Sequence, residues 1–130
     1  MAKFILTTAS FLGAVAVMLG AFGAHGLKAR LDTYSLDIFQ KGVEYQYYHV
    51  FALLAIGLLA TKYSNSLLQW SANFMIAGII LFSGSLYLLG TKSLLGLETW
   101  TKVLGPITPI GGLFLIIGWI LLSIFVYKNV

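Results

Sequence analysis

Three stretches of this chain, residues 4–24, 67–89 and 103–127, contain no Asp, Glu, Lys or Arg, and the shortest of them is 21 residues long. Hydrocarbon offers a backbone N–H or C=O no water to bond, so such a stretch is stable there only as a helix that satisfies its own backbone. About 20 residues of helix cross the apolar core of a bilayer. The chain therefore reads as an all-α integral membrane protein. Its composition agrees: 9% of residues are charged and 59% hydrophobic, with a mean hydropathy of +0.93, whereas a soluble domain is about 25% charged. Disorder is excluded by an aromatic content of 15%, because disordered chains are polar and poor in aromatics.

A fourth span is expected over residues 43–61, although its charge-free apolar part is only 50–61. It reaches spanning length by taking in Glu44, Tyr45, Gln46, Tyr47, Tyr48 and His49, which places those polar side chains at or below the membrane interface. Four spans consume roughly 80 residues and leave tails and three connections, so residues 1–130 form a single transmembrane domain. Short connections make neighbouring helices antiparallel and put both termini on one side. Lys3 followed by an apolar run has the outline of a secretory signal, but the run is long and three further apolar segments follow, so it is expected to be the first spanning helix.

The connections 27–42 and 90–102 are amphipathic and are expected to lie in the interface, with Asp32 or Thr33 as the N-cap of a helix leading into the second span and Trp100 in the aromatic belt. Pro106 and Pro109 suit the first turn of the last helix, where no amide donor is needed. Lys28, Arg30, Lys41, Lys92 and Lys102 fall on the side of these two connections, against Lys3, Lys62 and Lys128 on the other. By the positive-inside rule this places the termini outside. The absence of Cys excludes disulfides and thiolate ligands. Basic residues scattered singly form no patch that would track a nucleic acid.

Ala9, Gly13, Ala16 and Gly20 stack on one face of the first helix and suit close helix packing, and Gly84, Gly111 and Gly112 are candidates for the same role. At about 1.5 Å of rise per residue, counting inward from Gly42, Gly90, Gly105 and His25 brings His49, Ser83, Ser85, Gly111, Gly112 and Gly20 to a common depth of roughly 7 to 10 Å. Gly42, Tyr45, His49, Ala52 and Ile56 share one face of the second helix, and Gln46 lies beside His49. Two readings follow. In one, these polar groups are hydrogen bonds between helices, since hydrocarbon supplies no other partner. In the other they line a small cavity, because an ionisable group inside a membrane is a site candidate. The candidate ligand-binding residues are then His49, Tyr45, Gln46, Ser83 and Ser85, with His25 at the helix end. Asn73 reads as a packing residue. Glu44 and His49 diverge by about 140° around their helix and cannot act as a pair. His25 and His49 could ligate a haem in principle, but no ligand spacing accompanies them, so no metal, cofactor or catalytic set is expected.

The strings at residues 20–27 (GAFGAHGL), 42–49 (GVEYQYYH), 82–89 (FSGSLYLL) and 105–112 (GPITPIGG) resemble the YgdD/YwdK-like family of small bacterial membrane proteins, domain of unknown function 423. The resemblance covers the whole chain, with the four segments in order. It implies four spanning helices in a bacterial inner membrane and no established activity. The family's motif residues match His25, Tyr45, Gln46, His49, Ser83, Gly84, Pro106, Pro109, Gly111 and Gly112.

The expected function is that of a non-enzymatic membrane-organising or helper protein, a homo-oligomer surrounded by the lipid bilayer, holding a lipid or small amphiphile around His49. The alternative is an oligomeric channel or proton-coupled carrier in which His49 titrates within an aqueous half-channel. A redox or lipid-modifying enzyme built on His49 and Tyr45 ranks last, since one His and one Tyr are ordinary constituents of a bundle.

Overall fold

A computed structural model describes the chain from Met1 to Val130. Helix α1 (Ala2–Phe22) continues through a π turn (Gly23–Leu27); α2 (Thr33–Lys62) and α3 (Ser66–Gly90) follow; the short α4 (Lys92–Leu95) and a 3-10 turn (Glu98–Trp100) lead into α5 (Thr101–Asn129). Four of these helices are long and apolar enough to cross a membrane, and the protein is an all-α membrane protein. The start of α2 is set by the Asp32 carboxylate, which accepts the Ser35 N–H at 2.6 Å, and that of α3 by the Asn65 side chain, which accepts the Leu67 N–H at 2.8 Å. Both use the usual N-cap chemistry for otherwise unpaired amides. Gly96, with φ +66°, ends α4 in the left-handed region that favours glycine.

The helices pack in the order α1, α2, α3, α5, each against the next, and α1 forms no comparable interface with α5. The result is an open row. Register is legible at the glycines. Along the α1–α2 seam, Gly13 faces Val50, Gly20 faces Val43 and Gly57 faces Leu6, so numbers rise on one helix as they fall on the other. The α3–α5 seam is the closest approach. A Cβ on Gly111 would fall on the α3 backbone at Leu81 and Phe82, Leu115 covers Gly78, and Gly118 lies under Met75. Ser71 Oγ donates to the Gly118 carbonyl at 2.7 Å, and the Ser85 and Thr108 hydroxyls bond at 2.6 Å. Lipid tails are as apolar as leucine, so close packing and interhelical hydrogen bonds hold such seams together. The main buried cluster, including Ile5, Leu53, Ile56, Leu68, Met75, Leu115 and Phe125, occupies the half nearer the termini.

Two expectations are corrected. Pro106 and Pro109 lie inside α5 rather than in its first turn, because the 3-10 turn feeds directly into a helix that begins at Thr101. They leave the Lys102 and Gly105 carbonyls without their usual helical donors. Gly84 is not a packing glycine, since a Cβ there would meet no atom within 4 Å. Its neighbours explain why: Ser83 turns to α2 and Ser85 to α5, and the residue between them faces outward.

Candidate functional site

The polar residues do not share one layer. Ser83 Oγ donates to the Gly42 carbonyl at 2.7 Å, Gly20 faces Val43 and Gly111 faces Phe82, so these groups are level with one another. His49 lies seven residues beyond Gly42 on α2, which is about 10 Å deeper. The count from Gly42 misplaces it because α2 is already helical at Thr33. Gly90, at the end of α3, rests on the Ser35 carbonyl and Phe39, and Gly42 is therefore well inside the packed region.

The candidates also separate by face. Gln46 turns away from His49: its Nε2 donates to the Leu12 carbonyl at 2.7 Å and its Oε1 accepts the Tyr87 hydroxyl at 2.6 Å, tying α1, α2 and α3. Ser83 joins α3 to α2. Ser85 joins α3 to α5 and also bonds the Phe82 carbonyl at 2.9 Å. These three are interhelical ties, and none of their buried polar atoms is left without a partner. His25 is exposed on the π turn and is not brought to the others. Glu44 accepts from Lys41 at 3.2 Å and from the Tyr48 hydroxyl at 2.5 Å, and Asn73 accepts from Gln69 at 2.9 Å.

His49 and Tyr45 do come together, on the wall of a cleft between α2 and α5. The cleft has a volume of about 500 Å³ and is lined by Tyr45, Tyr48 and His49 of α2, Phe82 of α3, and Gly112, Leu115, Ile116 and Trp119 of α5. The Tyr45 and Phe82 rings meet with centroids 5.0 Å apart. His49 Nδ1 is 2.7 Å from the Tyr45 carbonyl, and its Nε2 is 3.1 Å from the Trp119 indole N–H. A carbonyl can only accept and an indole N–H can only donate. The network therefore assigns the proton to Nδ1 and leaves Nε2 as the acceptor, a neutral imidazole with both nitrogens satisfied. No ring nitrogen remains for a metal. A neutral, fully bonded His among aromatic and aliphatic walls suits an apolar guest chain rather than an ion.

Trp119, Phe82, Tyr48 and Thr108 are absent from the sequence-based site. The signal for Trp119 is physical: an indole N–H within an apolar span needs an acceptor, and His49 is the imidazole that α2 offers. Gly112 belongs to the cleft more than to packing, since a Cβ there would only touch the Phe82 ring at 3.7 Å.

Residues 19–112 match the family described as Protein of unknown function (DUF423). The chain is 46% identical over 114 residues to a UPF0382 membrane protein of Staphylococcus aureus, covering 88% of this chain and 87% of the relative. It is 42% identical over 122 residues to the UPF0382 membrane protein YwdK of Bacillus subtilis, covering 90% and 94%. A UPF0382 membrane protein of Haemophilus influenzae is 40% identical over 124 residues, covering 95% and 94%. No solved structure matches. With four helices of spanning length and relatives that are themselves called membrane proteins, the chain belongs to the DUF423 family of uncharacterised membrane proteins.

Proposed function

We propose that this protein is a non-enzymatic membrane-organising or helper protein that holds the chain of a lipid or small amphiphile in the α2–α5 cleft. The observation that carries the reading is the cleft itself: about 500 Å³, within the range of small-molecule sites, with walls that are aromatic or aliphatic apart from an internally bonded His49. Such a lining favours apolar fit over charge. The channel or proton-carrier alternative is less well supported, because His49 would have to give up its bond to the Tyr45 carbonyl or to Trp119 in each cycle.

The setting proposed is a bacterial inner membrane with both termini outside. Association with a second copy also belongs to the proposal, but not through Gly13 and Gly20, which α2 already covers. Native mass spectrometry of the protein released from mild detergent tests the reading. The wild type should carry a discrete lipid-sized adduct, and Ile116→Trp, which fills the cleft, should lose it. Bare protein in both samples would reject the reading and leave His49 as a structural tie.

A further inference from the structure

The end of the molecule that bears the long connections holds a second cavity, of about 400 Å³, shaped by residues of α1, α2, α3 and α4 and separate from the His49 cleft. Glycines define its walls. A Cβ on Gly23 would stand 3.1 Å from the Phe39 ring, one on Gly26 2.8 Å from the Phe22 ring, one on Gly42 2.8 Å from the Tyr87 ring, and one on Gly90 3.0 Å from Phe39 Cβ. Phe22, Phe39 and Tyr87 all line the cavity, so Gly23, Gly26 and Gly42 each clear the place of a lining ring, while Gly90 lets α3 rest on the α2 backbone at Ser35 and Phe39. Gly23 and Gly26 also lie in the π turn, a local widening of the helix that is uncommon and often accompanies functional sites.

One charged side chain, Arg30, borders this apolar wall. The chain's one carboxylate ion pair joins Lys41 to Glu44, and Arg30 has no such partner. Asp32, two residues away, is engaged as the cap of α2 through the Ser35 N–H, and Asp37 lies further along α2. Lys28 and Lys92 add positive charge on the flanking segments. The lining is also open at the protein surface, since Phe22, Leu88, Leu94 and Leu95 are 53%, 40%, 45% and 57% exposed. A guanidinium presents a planar fork of donors that matches a phosphate, and charge-assisted bonds of this kind are the strong ones.

We propose that this cavity binds an anionic phospholipid of the surrounding leaflet, with the phosphate at Arg30 and one acyl chain lying between Phe22 and Leu88. An unpaired guanidinium at the rim of an apolar, lipid-facing cavity complements a molecule that is anionic at one end and hydrocarbon at the other. A small soluble anion would leave the apolar walls uncovered, and a zwitterionic lipid would set its own cation against Arg30.

The test is native mass spectrometry after reconstitution in nanodiscs holding equal amounts of phosphatidylglycerol and phosphatidylcholine. The wild type should retain phosphatidylglycerol in preference. Arg30→Gln should lower that retention about tenfold, and Leu88→Trp, which fills the cavity while keeping Arg30, should lower it as well. Gly84→Ala, which lies outside both cavities, should leave it unchanged, and the preference for the anionic lipid separates this site from the cleft, whose lining favours apolar fit over charge. A thermal unfolding transition close to that of the wild type shows that each variant is folded, and Leu88→Trp carries the test if Arg30→Gln is not. Equal retention of the two lipids by the wild type, or phosphatidylglycerol retention unchanged by filling the cavity, would overturn the proposal. An adduct with the mass of a free fatty acid would overturn the phospholipid assignment.

Discussion

Gly111 and Gly112 are adjacent on α5, yet they have opposite surroundings. A side chain on Gly111 would collide with the α3 backbone, whereas one on Gly112 would enter the cleft and touch only the edge of the Phe82 ring. One helix thus builds two different interfaces about 100° apart. The α3–α5 seam is closed by small residues, a hydroxyl–carbonyl bond at Ser71 and a hydroxyl–hydroxyl bond between Ser85 and Thr108. The α2–α5 boundary is bridged by large side chains, with a single polar link between His49 and Trp119, and leaves space. Close packing in a membrane requires small residues on the contact face, so where α5 presents Ile116 and Trp119 to α2, the helices stand apart. The cleft follows from the seam: α5 is drawn to α3 strongly enough that its other face remains unfilled.

The largest expected effect comes from moving one side chain between these two settings. Gly111→Leu should destabilise the protein by about 3 kcal/mol or more, at or beyond the usual cost of overpacking, and thermal unfolding in detergent measures it. Gly112→Leu should leave unfolding nearly unchanged and abolish guest binding instead. If both variants unfold alike, the contrast between seam and cleft fails.

Trp119→Phe sharpens the account of the cleft wall. It keeps an aromatic ring but leaves His49 Nε2 without its donor, at an expected cost of about 1 to 2 kcal/mol for a stranded buried acceptor. A fall in the unfolding midpoint, together with a change in the imidazole nitrogen resonances, would report the lost bond. Unchanged resonances would show that the indole is not the partner.

Much of this architecture is legible in the sequence. Hydrocarbon forces charge-free runs into helices, and short connections force antiparallel neighbours. The site is only partly legible. A depth count can place Gln46 and His49 near each other but cannot say which helix lies on which side, and three residues of helix turn Gln46 to α1 and α3 while His49 meets α5. The depth of His49 is misjudged because the polar segment before Gly42 does not reveal how far it is already helical and packed. Trp119 is hidden within an apolar run, where its polar end shows only once an acceptor stands opposite.

Smaller effects probe positions outside both interfaces. Gly84→Ala should be neutral or stabilise α3 by up to about 1 kcal/mol, the helix-propensity difference between the two residues, because no neighbour opposes the new methyl. A marked loss of stability would mean that the outward face of α3 is covered, as by a second copy. Smallest of all is the cap of α2. The Ser35 backbone N–H holds the Asp32 carboxyl below its ordinary value of 3.8, so the stabilisation is fully present above that value and is lost as pH falls through the lowered one. The protection of the Ser35 amide against exchange, relative to its intrinsic rate at each pH, should fall at acid pH in the wild type, whereas Asp32→Asn, which keeps a capping side chain, should remove that dependence.

The most direct test of the central claim, that the α2–α5 cleft receives a lipid chain, is photolabelling in nanodiscs with a phospholipid bearing a diazirine near the end of its acyl chain, followed by mapping of the adducts. Labels should concentrate on Tyr45, Phe82, Leu115 and Ile116 and should disappear from these residues in Gly112→Leu. An even distribution around the lipid-facing perimeter, unchanged by Gly112→Leu, would contradict it.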